Sequence, residues 1–263
     1  MKKITVVTGA SSGMGEWFAL FLAKECRSDE IWIIARRADR LQALREKIEK
    51  ENPKSGTAVR CMEMDLGGKA GAFAFKKALE DAGEVFIDVL VNNAGFGTYG
   101  EFSATDTERE MDMIELNCTS LTGITGYAIP YMGKGSRIIN VASLAAYGPL
   151  GNFAVYGATK AYVLNFTTAI RAELAPRGIR VTALCPGSVS TEFANVASKG
   201  ARKEVLHGKS AEKTVRHALA KSRRGAPVAM WALKWKINAF LCTVMPSTLI
   251  AWATYKFGKR PSN

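Results

Sequence analysis

Two rhythms of apolar positions alternate along this chain. Short, nearly uninterrupted apolar runs recur at ITVVT (4–8), IWIIA (31–35), TAVRCMEM (57–64), VFIDVLVNN (85–93), RIINVAS (137–143) and IRVTALCP (179–186). Between them lie longer segments with apolar residues at helical spacing, over 17–26, 40–51, 69–82 and 153–175. Strands that are apolar on both faces and separated by helices predict a parallel sheet covered on both sides. The expected fold class is α/β, a doubly wound parallel sheet of Rossmann type, with ligands bound beyond the carboxyl ends of the strands. The alternation runs over residues 1–195, and residues 196–263 read as a C-terminal extension of the same domain. No internal repeat or low-complexity linker interrupts it.

Composition changes this picture little, since 48% hydrophobic and 23% charged residues are ordinary for a globular protein. Cys26, Cys61, Cys118, Cys185 and Cys242 are scattered, odd in number and without a C-x-x-C. That argues against a disulfide framework or a metal site and suits a reducing cytoplasm. The first strand begins almost at Met1, so no signal peptide is expected. Charge changes more. Residues 1–195 hold 22 Lys/Arg and 22 Asp/Glu, whereas residues 196–263 hold 14 and 2, so the whole net charge of +12 sits in the last quarter. A solvated basic face accounts for this, and so does attraction to an anionic substrate, lipid or nucleic acid.

Candidate chemistry begins directly after the first strand, with T-G-A-S-S-G-M-G (8–15). Gly9 permits a tight turn, and Gly13 and Gly15 let backbone amides and a helix N-terminus approach a pyrophosphate. Strand before and helix after favour nucleotide binding over a plain linking turn. The same letters contain G-A-S-S-G (9–13), a match to a hydrolase nucleophile elbow, with His207 and His217 following in chain order. An elbow belongs in mid-sheet, and only one strand precedes this one, so that reading fails. The second strand ends in Arg36 and Arg37, where a free ribose 2′-hydroxyl would call for an acid. Arginine there accommodates a 2′-phosphate, so NADP(H) is favoured over NAD(H).

Y-G-A-T-K (156–160) puts Tyr156 and Lys160 one turn apart on one helix face. An ammonium beside a phenol favours the phenolate, which makes tyrosine a usable acid/base. Taken alone, the pair reads more readily as a packed tyrosine and a snorkelling lysine, and the rest of the chain decides.

T-G-x-x-x-G-x-G (8–15), N-N-A-G (92–95), Ser143, Y-x-x-x-K (156–160) and P-G (186–187) occur in the order and spacing of the short-chain dehydrogenase/reductase family, in its shorter subclass of roughly 250 residues. The resemblance covers residues 1–195. It implies that Asn117, Ser143, Tyr156 and Lys160 are catalytic, and that Gly9, Ser11, Ser12, Gly13, Met14 and Gly15 form the cofactor loop. Met14 stands where the family usually has a branched aliphatic residue. Asp65 and Leu66 would hold the adenine, and Asn92, Ala94 and Gly95 would line the cofactor. Pro186, Gly187, Val189 and Thr191 would face the nicotinamide, with Thr191 on the carboxamide. Asn117, expected in a helix over 115–119, would hold the lysine through a water. The family's usual dimer or tetramer is expected. Chemically, Tyr156 would protonate the developing alkoxide, Ser143 would hydrogen-bond the same oxygen, and Lys160 would tune the phenol and reach the nicotinamide ribose.

After P-G the family's variable segment forms the substrate lid. Here 198–224 reads as basic and helix-like, with both histidines facing solvent. The uncharged run 237–255 has 19 residues, near the length of a membrane span. Its polar residues and Pro246 argue against spanning. A hydrophobic pocket wall, a subunit interface and a basic surface touching anionic lipid all remain open for 196–263. The leading expectation is a cytoplasmic, possible membrane-peripheral, NADP(H)-dependent reductase of a hydrophobic or amphipathic ketone, such as a hydroxysteroid or bile acid. The alternatives are a 3-ketoacyl reductase and a non-catalytic dinucleotide sensor. Nucleic-acid binding lacks a reading motif.

Overall fold

All six apolar runs form strands: β1 (Lys2–Thr8), β2 (Glu30–Ala35), β3 (Ala58–Glu63), β4 (Val85–Asn92), β5 (Arg137–Val141) and β6 (Arg180–Leu184). A seventh, β7 (Val228–Ala229), is two residues long and too short to show a periodicity. The structure is a computed structural model, which describes residues 1–25, 28–52, 56–202, 208–258, 260 and 262. The strands form one parallel sheet in the order β3-β2-β1-β4-β5-β6-β7. The order reverses between β1 and β4, which opens a crevice at their carboxyl ends.

Strand alternation sends side chains into two cores. Helices α1 (Gly13–Glu25), α2 (Ala38–Glu51) and α8 (Ala211–Arg223) cover one face, packing on Val7, Ile31, Ile33, Val89 and Val91. On the other face lie α3 (Gly68–Asp81), α5 (Leu121–Ala128) and α6 (Ala154–Leu174), against Ile4, Val6, Trp32, Ile34 and Ile87. A register shift between Ile4 and Thr5 leaves Asp88 as an extra residue in β4, because Ile4 pairs with Ile87 and Thr5 with Val89. The shift changes parity, so Ile87 and Leu90 share one core although they are three residues apart.

Helix α4 (Thr107–Ile114) starts at Asp106, whose side chain accepts from the Glu108 amide at 3.1 Å. It runs on through a π-helical turn, Glu115–Ser120, into α5. Past β6, the chain forms α7 (Phe193–Ala197), then α8, β7, α9 (Leu233–Val244) and α10 (Ser247–Phe257). The expected helix over 198–224 is thus confined to α8, capped by Ser210, which accepts from the Lys213 amide at 3.2 Å. His207 lies outside the described residues. His217 does not face solvent as expected: it is half-buried on α8, and its enclosed Nε2 has no hydrogen-bond partner. Burial, then Lys221 and Lys236, holds its pKa below the usual histidine value. The apolar run 237–255 is divided at Pro246, the residue before α10. Among the described residues, no helix is long and apolar enough to cross a membrane.

Candidate active site

The glycine loop closes β1 into α1. Gly9 and Gly13 hold φ of +64° and +59°, a left-handed conformation that side chains resist. A Cβ at Gly15 would collide with the Gly9 carbonyl oxygen, so helix and strand pack this closely only without one. The loop is tied to β4 by two residues. Thr8 Oγ1 accepts from the Asn93 and Ala94 amides, both at 3.0 Å. Asn93 Nδ2 donates to the Thr8 and Gly9 carbonyls at 3.1 and 3.0 Å. Asn92 turns the other way: its Nδ2 donates to Thr125 Oγ1 and Asn140 Oδ1, both at 2.9 Å, inside the core. Only its backbone is left for the crevice.

Tyr156 and Lys160 lie one turn apart on the buried face of α6, with 8% and 5% of their surfaces exposed. Ser143, two residues past β5, lies beside the Tyr156 phenol, donates to the Pro186 carbonyl at 3.4 Å and accepts from the Ala145 amide at 3.1 Å. Burial pushes the phenol far above the usual tyrosine pKa, and the Ser143 hydroxyl offsets part of that rise. Lys160 Nζ donates to the Val141 carbonyl at 2.8 Å and stands 5.7 Å from the Tyr156 ring centroid. Burial lowers its pKa to about 8. The expected ammonium-to-phenol pairing is therefore absent from this arrangement, because the ammonium is committed to the end of β5. Asn117 sits in the π-helical turn, 1% exposed. Its amide clasps the Phe96 backbone, accepting from N at 3.1 Å and donating to O at 2.9 Å, and it donates to Thr159 Oγ1 at 3.1 Å. A Cβ at Gly95 would lie 3.5 Å from Lys160 Nζ and nearly touch Asn117 Oδ1, so all three converge on one spot. A π-turn at such a spot is common at functional sites.

The residue pattern just described has counterparts. The family model for short chain dehydrogenases matches residues 3–202. The chain belongs to this family. It is 35% identical over 205 residues to a sulfoacetaldehyde reductase of Chromohalobacter salexigens, covering 76% of this chain and 78% of that one. It is 31% identical over 252 residues to the NADP-dependent 3-hydroxy acid dehydrogenase YdfG of Escherichia coli, covering 93% and 95%. A short-chain dehydrogenase from Sphingobium yanoikuyae, solved with NADPH, superposes with a TM-score of 0.77 at 29% identity over 93% and 96% of the two chains. As a short-chain dehydrogenase, this protein is an oxidoreductase acting on alcohol and ketone groups.

The crevice of this dehydrogenase fits a nicotinamide dinucleotide. Left-handed Gly9 and Gly13 free the amides at the α1 N-terminus for a pyrophosphate. At the end of β2, Arg37 Nε and Nη2 donate to Ser11 Oγ at 3.3 and 3.0 Å. Arg37 Nη1 also pairs with Glu192 Oε2 at 3.0 Å, across the crevice mouth. Arg36 is exposed beside it. Glu192 is an acid that no motif singled out, 155 positions from Arg37. Its neighbour Thr191 approaches the glycine loop, where a Cβ at Gly13 would lie 3.1 Å from Thr191 Cγ2. Asp65 is exposed, with Oδ1 accepting from the Gly67 amide at 2.9 Å, while Leu66 is buried in the core beneath α3. Ser12 and Met14 are half-buried in the loop, and Val189 is buried beyond Pro186. Gly187 has no room for a Cβ because the Trp235 indole of α9 lies against it.

Aromatic rings roof the phenol. Phe153 stacks on Tyr156 at 4.1 Å between centroids and 16° between planes, and Phe193 tilts in at 5.4 Å. Tyr99 meets the Phe153 edge at 4.8 Å. The C-terminal segment holds the roof's base, since Thr254 Oγ1 accepts from the Gly151 amide at 2.9 Å and the Tyr255 carbonyl accepts from Asn152 Nδ2 at 3.0 Å. Arg260 donates to the Gly151 carbonyl at 2.9 Å and lies 5.1 Å above Phe153. Phe153, at N-cap of α6, carried a signal only through its place three residues before Tyr156.

Proposed function

We propose that this short-chain dehydrogenase uses NADP(H) in preference to NAD(H) to interconvert a ketone and a secondary alcohol on a hydrophobic or amphipathic substrate, such as a hydroxysteroid or bile acid. The observation that carries the reaction is the buried Tyr156 phenol with Ser143 beside it and Lys160 one turn along α6. When bound, the dinucleotide supplies or accepts the hydride. Gly9, Gly13 and the α1 N-terminus would hold its pyrophosphate, and Arg37 with Ser11 its 2′-phosphate. The phenol remains protonated through neutral pH, so Tyr156 is poised to give its proton to the carbonyl oxygen as negative charge develops. Ser143 donates a second hydrogen bond to that oxygen. Lys160, bound to the Val141 carbonyl, supplies positive charge close to the phenol ring, which steadies the phenolate left by proton transfer until Tyr156 regains a proton. Asn117 fixes the Phe96 backbone on the opposite wall. The apolar roof of Phe153, Phe193 and Tyr99 excludes water and supports an apolar substrate body.

A second reading, a 3-hydroxy acid substrate, is favoured by the likeness to the E. coli enzyme over 93% of this chain. The test is binding of NADPH and NADH by fluorescence, then turnover on hydroxysteroids, bile acids, 3-ketoacyl thioesters and 3-hydroxy acids. Tyr156→Phe should keep NADPH binding and lower kcat by at least ~10³-fold. Tight NADPH binding without turnover on any carbonyl would instead favour a dinucleotide sensor. For assembly we propose a homodimer or homotetramer, supported by exposed Met111, Ile114 and Tyr162 on α4 to α6 and testable by sedimentation.

A further inference from the structure

Helices α9 and α10 invert the usual relation between helix faces and solvent. On α9, Trp235 and Ala239 are buried against the body of the protein. The opposite stripe, at Leu233, Ile237, Phe240, Leu241 and Val244, is also apolar and is exposed, Leu233 by 70% and Phe240 by 65%. Those positions recur at i, i+4, i+7, i+8 and i+11, so they form one continuous ridge. Helix α10 also exposes apolar side chains, spread around most of its outer surface: Ile250 is buried, whereas Leu249, Trp252, Tyr255 and Phe257 are exposed, Phe257 by 71%. Exposed apolar area of this extent marks an interaction surface.

The charges beside it narrow the partner. Lys234, Lys236 and Lys256 are exposed on the same two helices. No acidic residue follows Glu212 in the chain. A two-fold contact with a second copy would set this surface against itself, lysines facing lysines. Among the described residues the hydrogen bonds bring one carboxylate to it, Glu101, which accepts from Tyr255 Oη at 3.2 Å and is too few to answer three lysines. An anionic lipid surface answers both features, accepting the apolar ridge among its acyl chains and the ammonium groups among its head groups. Helices of 12 and 11 residues are too short to cross a bilayer and suit a position in its interface.

We propose that α9 and α10 dock this protein on an anionic membrane surface, with the exposed apolar side chains of both helices inserted at the head-group boundary. The inner face of α10 holds Gly151 and Asn152, directly before Phe153, so docking sets the roof over Tyr156 at the lipid boundary. Docking does not depend on the reaction proposed above.

The test uses the full chain with vesicles of phosphatidylcholine alone or with about 30% phosphatidylserine. The wild type should sediment with the anionic vesicles several-fold more than with neutral ones, and less at high salt. Trp252 fluorescence should be quenched by brominated lipid. The double variant F240E/F257E should remain folded and dehydrogenase-active on a water-soluble ketone, yet lose sedimentation and quenching. Sedimentation unchanged in that variant would overturn the proposal, because another basic surface would then be responsible. Absence of vesicle binding would also overturn it, and a dimer that F240E/F257E converts to monomer would assign the ridge to a second copy.

Discussion

Lys160 carries a positive charge in a place that resists it, and the cost can be read as a function of pH. Burial lowers its pKa from 10.5 to about 8. A cation with a depressed folded-state pKa destabilises the native protein wherever the unfolded chain would hold the proton more tightly. That cost is fully present below pH 8, is relieved as pH rises from about 8 towards 10.5, and amounts to about 3 kcal/mol. Replacing Lys160 with Met removes the charge at all pH values. It also deprives the buried Val141 carbonyl of its donor, a loss of about 1–3 kcal/mol that does not vary with pH. Near pH 7 the two effects oppose, so Lys160→Met should match or exceed the wild type in stability while turnover collapses. The difference between the two proteins should then shift in favour of the wild type by most of that 3 kcal/mol by pH 10. Cys118 and Cys185, pushed up to about 11 and about 12 by burial, and Tyr156, also raised, destabilise the native state in alkali. They are present in both proteins and largely cancel in the difference. Urea denaturation of each at pH 7, 8, 9 and 10 measures it. A difference that stays flat over that range would refute the buried, strained ammonium.

Other outcomes follow from the crevice. Arg37→Ala should weaken NADPH binding about 10- to 150-fold, the worth of a charged hydrogen bond of ~1.5–3 kcal/mol, and leave NADH nearly unchanged, as read by fluorescence titration. The Arg37–Glu192 pair is exposed on both sides, 43% and 45%, so it is worth about 0–1 kcal/mol. Glu192→Gln should accordingly tighten NADPH by up to ~5-fold, and weaker NADPH binding would show that Glu192 supports the cofactor instead of competing with it. Asn93→Ala removes two hydrogen bonds to the glycine loop and should cost ~2 kcal/mol in urea unfolding. It should weaken NADPH and NADH alike, leaving their ratio unchanged.

Five strands were legible because each is apolar on both faces, which is what a doubly covered parallel sheet demands. The edge strand β3 was legible because its buried Val59 and Met62 stand among exposed Arg60 and Glu63 in a short run bounded by helical patterns. β7 was not, since two residues carry no period. The candidate catalytic positions were legible in part through local spacing: Tyr156 and Lys160 share a helix face, and Ser143 closes the apolar run 137–143, two residues past the end of β5. The Asn93 clasp was overlooked because neighbouring Asn92 carries the same side chain, and only packing decides which amide turns to the glycines. Glu192 could not be seen at all, since its partner lies on a different strand end. The same holds for the roof, whose base is held by Thr254 and Tyr255 more than a hundred positions from Gly151 and Asn152. His217 looked like one more polar residue in a basic stretch. Its burial comes from α8 lying flat on the sheet beside α1, a tertiary fact.

The π-turn at Glu115–Ser120 fixes how many residues this helical segment must contain. Each residue advances an α-helix by about 100°, so one residue accommodated in a wider turn offsets everything before it against everything after it. Deleting any one residue from 115–120 would let the segment close into regular α-helix, an ordinary and even restful conformation for the backbone. The hydrophobic faces of α4 and α5 would then disagree by that same rotation, and Asn117 would swing off Phe96 and Thr159. Most single-residue deletions are harmful because they spoil secondary structure; here the deletion would perfect it, and the damage would come from the perfected helix pointing the wrong way.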